Sequence, residues 1–145
     1  MQALRDAAAT QAFGRQLALR LPAGSILLLE GDLGAGKTCL VQGLAAGIGI
    51  EEPITSPTFA LAQHYPLQPA GGLVHLDLFR LELAAAADEL FAQEEEEARA
   101  LGALLAVEWP ERLSRPPAGC WQIQLSLIDP FNPEAGRLID MRSPS

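Results

Sequence analysis

The chain has 145 residues, a net charge of −8 and an isoelectric point near 4.6. That length suits one domain, residues 1–145, with a core of its own, and no run of about 18 apolar residues offers a transmembrane helix. The acidic balance argues against a protein that grips a nucleic-acid backbone by itself, since phosphate neutralisation needs clustered cations. The two cysteines, Cys39 and Cys120, are too few for a disulfide scaffold, and the N-terminus does not look like a secretory signal. Reduced thiols and a cytoplasmic setting are expected.

In chain order, residues 3–21 read as a helix, with Phe13, Leu17 and Leu21 spaced by four. Pro22 and Gly24 end it. Residues 25–30 (SILLLE) form a short apolar run, as in a strand buried on both faces. A glycine-rich loop, 31–36, leads into a helix over 37–48. A polar loop with two prolines follows. Strands are expected at 58–65 and 73–81, joined by turn residues 66–72. A helix spans 83–101 and stops at Gly102; its run of four glutamates, 94–97, reads as an exposed face with a Glu95–Arg99 pair one turn apart. His64 reads as surface. Strands at 103–107, 121–128 and 137–141 complete an α/β pattern. The expected fold is a P-loop three-layer sandwich, a central, mostly parallel sheet with antiparallel edge strands and helices on both faces.

Gly31 to Thr38 reads GDLGAGKT and meets the pattern G-x-x-x-x-G-K-[ST] between a strand and a helix. Each residue type has a physical reason. Glycines let backbone N–H groups turn inward around phosphates. The helix N-terminus adds partial positive charge. Lys37 reaches the β- and γ-phosphates, and the Thr38 hydroxyl is a magnesium ligand. Lys37 is the chain's one lysine, so the N-K-x-D loop of guanine-specific switches is absent. ATP and Mg²⁺ are the expected ligands.

Such a site needs a carboxylate at the end of a neighbouring strand. Asp77 and Glu108 both follow apolar runs. One would hold the metal and the other would position the attacking water, unless one merely pairs with an arginine such as Arg80. His75 shares Asp77's strand face; it would tune the site or serve as a hydrogen-bonded structural residue. Trp109 is either a core aromatic or part of the pocket mouth. Thr55, Ser56, Pro57 and Thr58 follow the P-loop helix and suit a switch-like loop that senses the γ-phosphate.

Five stretches together resemble one family: 10–18 (TQAFGRQLA), the phosphate loop, Thr55-Ser56-Pro57-Thr58-Phe59, His75-Leu76-Asp77-Leu78-Phe79-Arg80, and Val107-Glu108-Trp109-Pro110-Glu111-Arg112. Their order and spacing look like the TsaE (YjeE) family, and the resemblance covers about residues 7–142. It implies a slow Mg-dependent ATPase that acts with TsaD and TsaB in forming tRNA N6-threonylcarbamoyladenosine (t6A37), without being the transferase; the tRNA would be held through those partners, and no membrane is involved. It also implies roles. Gly34, Ala35, Gly36, Lys37, Thr38 and Cys39 would bind the nucleotide, and Lys37 would act on its phosphates. Thr38 and Glu108 would hold Mg²⁺, and Asp77 would assist hydrolysis. Ala7, Glu111 and Arg137 would contact the base or ribose side. The sequence departs from the pattern at Phe79, where tyrosine is common, at Cys39, where threonine is usual, and over 88–101, which lacks the usual glycine and acidic-aromatic residues. A small-molecule or nucleotide kinase is the alternative that shares the loop; a non-enzymatic assembly factor with ATP as a structural ligand is a third.

Overall fold

A computed structural model describes residues 1–32, 34–55 and 61–144. Seven strands form one sheet in the order β1-β7-β6-β2-β5-β4-β3. They are β1 (Gln2–Leu4), β2 (Ile26–Glu30), β3 (Ala62–Pro66), β4 (Gly72–Asp77), β5 (Leu104–Glu108), β6 (Trp121–Leu127) and β7 (Arg137–Arg142). Strands β4, β5, β2 and β6 run parallel, while β3, β7 and β1 pair antiparallel toward the two edges. The helices are α1 (Ala7–Arg20), α2 (Lys37–Gly47) and α3 (Ala84–Leu101).

Two cores follow from the strand alternation. Leu27, Leu29, Leu104 and Ala106 face one way and pack with Leu17, Leu40 and Leu44 of α1 and α2. Leu28, Leu105 and Val107 face the other way and pack with Ala87, Phe91 and Ala98 of α3. The two innermost strands, β2 and β5, are therefore apolar up to their last residues, Glu30 and Glu108, as parallel strands covered on both faces require. This is the three-layer arrangement expected.

α1 and α2 meet through glycine. A Cβ placed on Gly43 would stand 2.1 Å from the Gln11 carbonyl oxygen, and one on Gly14 would stand 2.5 Å from the Leu40 carbonyl oxygen. Backbone atoms cannot step aside as side chains do. Gly43→Ala is expected to destabilise the protein by about 1–3 kcal/mol, the usual cost of overpacking, read as a lower midpoint in urea unfolding.

Three local expectations are corrected. The first helix begins at Ala7, not residue 3, because the Asp6 carboxylate accepts from the Ala9 N–H at 2.8 Å and caps it. Residues before it instead form β1, with Leu4 buried opposite Arg137. The strand expected over 73–81 stops at Asp77, whose Oδ1 accepts from the Phe79 N–H at 2.9 Å and turns the chain. The glutamate run is not uniformly exposed. Glu94 is buried and its Oε2 lies 2.6 Å from Nε2 of His64, which is exposed as expected; Glu95 and Arg99 do approach on the outside, at 3.7 Å. The strand expected at 58–65 starts at Ala62 in the described chain, and its residues 58–60 lie outside the described residues.

Candidate functional site

The C-terminal ends of β2, β4 and β5 open onto one cleft of about 470 Å³. A cleft at that end of a parallel sheet is where such folds bind ligands. The turn after β2 makes its floor. Gly34 and Gly36 have φ of 83° and 107°, and nothing lies within 4 Å of a Cβ built on Gly34. Both positions need the left-handed conformations that glycine adopts freely. Gly36 caps α2 with no side-chain hydrogen bond. The first N–H groups of that helix are therefore left for an outside acceptor.

Lys37 is the first residue of α2 and is only 5% exposed. Its Nζ donates to the Gly31 carbonyl oxygen at 2.6 Å, and the Trp109 ring centroid lies 4.2 Å away. The carbonyl and the electron-rich ring face offset the loss of water around the ammonium. Trp109 is held there by an unusual backbone, φ 59° and ψ 49°, the one non-glycine residue of positive φ among those described. Such a conformation costs on the order of 1–3 kcal/mol. It swings the chain from β5 into the short 3-10 turn Pro110–Arg112 and aims the indole into the cleft, with Phe79 tilted against it at 4.8 Å.

Asp77 and Glu108 are register partners at the ends of β4 and β5. Glu108 is 4% exposed and its Oε2 lies 2.6 Å from Nε2 of the fully buried His75. His75 is thus a hydrogen-bonded buried residue beside the site. Asp77 is half-buried. Burial pushes its carboxyl up from the ordinary value, the Glu108 charge adds to this, and the Phe79 N–H and Lys37 pull the other way. No ion pair joins Asp77 to Arg80 among the described residues.

Of the residues expected at the site, Ala7, Gly34, Gly36, Lys37, Thr38, Cys39, Asp77, Glu108 and Arg137 line this cleft. Ala35 is fully buried beneath the loop. Glu111 is exposed and does not line it. Arg137, at the start of β7, lies against the phosphate loop itself: a Cβ on Gly36 would stand 2.6 Å from one of its terminal nitrogens. Its Nε is buried without a partner among the described residues. Thr55 is exposed, and Ser56, Pro57 and Thr58 lie outside the described residues. Leu61, Phe79 and Arg80 also line the cleft. Leu61 gave no signal in the sequence, because an apolar residue before a strand looks like core.

With this geometry in place, the comparisons with known proteins bear on it. The family model described as "Threonylcarbamoyl adenosine biosynthesis protein TsaE" matches residues 4–130. The chain belongs to this family. A protein of Synechocystis, "tRNA threonylcarbamoyladenosine biosynthesis protein TsaE", is 49% identical over 118 residues, covering 79% of this chain and 73% of its own. One of the same description from Nostoc is 42% identical over 126 residues, covering 87% of this chain and 77% of its own. Among solved structures, that of Bacillus subtilis YdiB superposes with a TM-score of 0.68 at 28% identity, over 99% of this chain and 84% of that one. No helix among the described residues is long and apolar enough to cross a membrane.

Proposed function

We propose that this protein is a weak Mg-dependent ATPase that serves the formation of N6-threonylcarbamoyladenosine in tRNA, acting with TsaD and TsaB and meeting tRNA only through them. The observation that carries the reading is the convergence of Lys37, Thr38, Asp77 and Glu108 on one cleft at the ends of three parallel strands. The descriptions of its relatives supply the pathway, and a net charge of −8 suits a chain that leaves the nucleic acid to others.

The residues present fit the ligands. Thr38 and Glu108 offer hard oxygen donors, which magnesium prefers, and magnesium fills its remaining positions from phosphate and water. Among the described residues no group of three or more His, Cys, Asp or Glu forms a closed metal cage. When bound, the ion would neutralise phosphate charge and orient the terminal phosphoryl group. The open backbone at Gly34 and the free N–H groups of α2 receive the phosphates, and Lys37 stabilises charge as it builds on them. Asp77, with its carboxyl already biased toward holding a proton, orients or accepts from the attacking water.

The test is multi-turnover modification of tRNA by TsaD and TsaB with this chain added, alongside plain ATP turnover. Modification that continues undiminished with a Lys37→Met protein in place of the native one would overturn the reading. Asp77→Asn separates binding from hydrolysis. ATP turnover should fall about 100-fold or more, with nucleotide affinity nearly unchanged. The ligand-free variant should also melt higher than the native protein at neutral pH. A raised carboxyl pKa means that the ionised form opposes folding above that pKa. The melting difference should therefore grow as pH rises through the carboxylate range and close as pH falls below it.

A further inference from the structure

The pair His75–Glu108 is buried on both sides, yet only one of its members faces the cleft. His75 sits on β4 opposite Ala106 of β5, and Glu108 lies two residues beyond Ala106. The two side chains are diagonal neighbours on one sheet face, within reach of each other. His75 Nε2 to Glu108 Oε2 is 2.6 Å, His75 is wholly buried, and His75 does not line the cleft while Glu108 does.

The direction of the hydrogen bond follows from the other ring nitrogen. Nδ1 of His75 is buried and has no partner among the described residues. A proton there would be a donor stranded away from water, at a cost of about 1–3 kcal/mol, while Nε2 and Oε2 would face each other as two acceptors. A proton on Nε2 gives the 2.6 Å contact its donor and leaves Nδ1 a bare ring nitrogen rather than a stranded N–H. The imidazole is then the donor and the Glu108 carboxylate the acceptor. One carboxylate oxygen is tied to β4, and Oε1 is left for the cleft.

We infer that His75 is a positioning residue that holds Glu108 in the one orientation able to ligate a divalent cation through Oε1. The inference rests on the proposed role of Glu108 as a magnesium ligand. A carboxylate free to rotate loses conformational freedom each time the ion binds; one already fixed by a buried donor does not. His75 touches neither nucleotide nor ion.

The experiment is a Mg²⁺ titration of the binding of a fluorescent, non-hydrolysable ATP analogue, run with the binding of the same analogue in EDTA and with thermal melts. His75→Leu should raise the Mg²⁺ concentration for half-saturation about 10-fold or more, the usual effect of removing a residue that orients a metal ligand, with metal-free binding unchanged. His75→Gln, whose amide reaches where Nε2 stood, should restore the native titration. His75→Asn, whose amide stops short at the Nδ1 position, should not. The Asn–Gln contrast decides the matter even if the leucine variant fails to fold. Native Mg²⁺ dependence in folded His75→Asn or His75→Leu protein would overturn the inference. A native protein whose analogue binding ignores Mg²⁺, or a Glu108→Gln variant that titrates like the native one, would instead overturn the metal role of Glu108.

Discussion

Lys37→Met is expected to lower ATP affinity about 10- to 150-fold, the equivalent of about 1.5–3 kcal/mol for hydrogen bonds to a charged partner. Calorimetric titration with ATP and magnesium measures it. The structure sharpens what else should happen. Lys37 is buried, so its stem packs with the loop and its ammonium is matched by the Gly31 carbonyl and the Trp109 ring. Methionine keeps the stem's volume and removes a charge that is costly to bury. The ligand-free variant should fold with a melting temperature at or near that of the native protein. A collapse of the fold together with binding would mean that the ammonium is a structural tie first and a phosphate ligand second. An alanine in the same place would confuse the two, since it also empties part of the loop's packing.

Glu108 offers the second large effect. Glu108→Gln keeps an oxygen that can accept from His75, so stability should change little. ATP turnover should fall at least about 100-fold, because a neutral amide is a poor magnesium ligand and the charge stabilisation worth several kcal/mol is lost. Glu108→Ala should lose turnover to the same degree and should also unfold at lower denaturant. It strands the buried His75 donor, at about 1–3 kcal/mol, and leaves a void at the end of β5. Activity and denaturation measured on both variants separate the two contributions. Equal stability of the glutamine and alanine proteins would mean that the His75 bond contributes nothing to the fold.

Local chemistry explains what the sequence disclosed. The phosphate-loop motif is eight consecutive residues of a fixed pattern, and Lys37 and Thr38 follow from it. β2 and β5 are apolar up to their closing glutamates, so their burial on both faces is plain. What stayed hidden depends on partners distant in the chain. β1 is three residues long, and its pairing with β7 lies beyond any local window; only the Asp6 cap, a local feature, marks where the helix begins. Glu94 looks like its three neighbours until His64 of β3 comes against it. The His75–Glu108 bond needs the β4–β5 register, which periodicity does not supply. Trp109 had two readings because nothing in Val107-Glu108-Trp109-Pro110 announces a left-handed residue, and with that backbone the side chain both packs against the core on α3's side of the sheet and meets Lys37 in the cleft. Arg137 was indicated by resemblance alone, and its place against Gly36 comes from the last strand's position in the sheet.

That last contact has a consequence for how the protein is made. The loop that names the site is complete once residue 38 has left the ribosome, but the cleft takes Ala7 from the first helix and Arg137 from the final strand. β7 must pair with β6, and with β1 from the chain's opening residues, before the guanidinium can rest on Gly36. A nascent chain that has exposed the phosphate loop alone lacks the wall beside it. On the proposed reading of the cleft as an ATP site, full affinity waits until β1, β6 and β7 have paired, and nucleotide would favour chains in which they have. At about 100 times the dissociation constant that preference would amount to about 2.7 kcal/mol, enough to separate chains in which β7 has docked from those in which it has not.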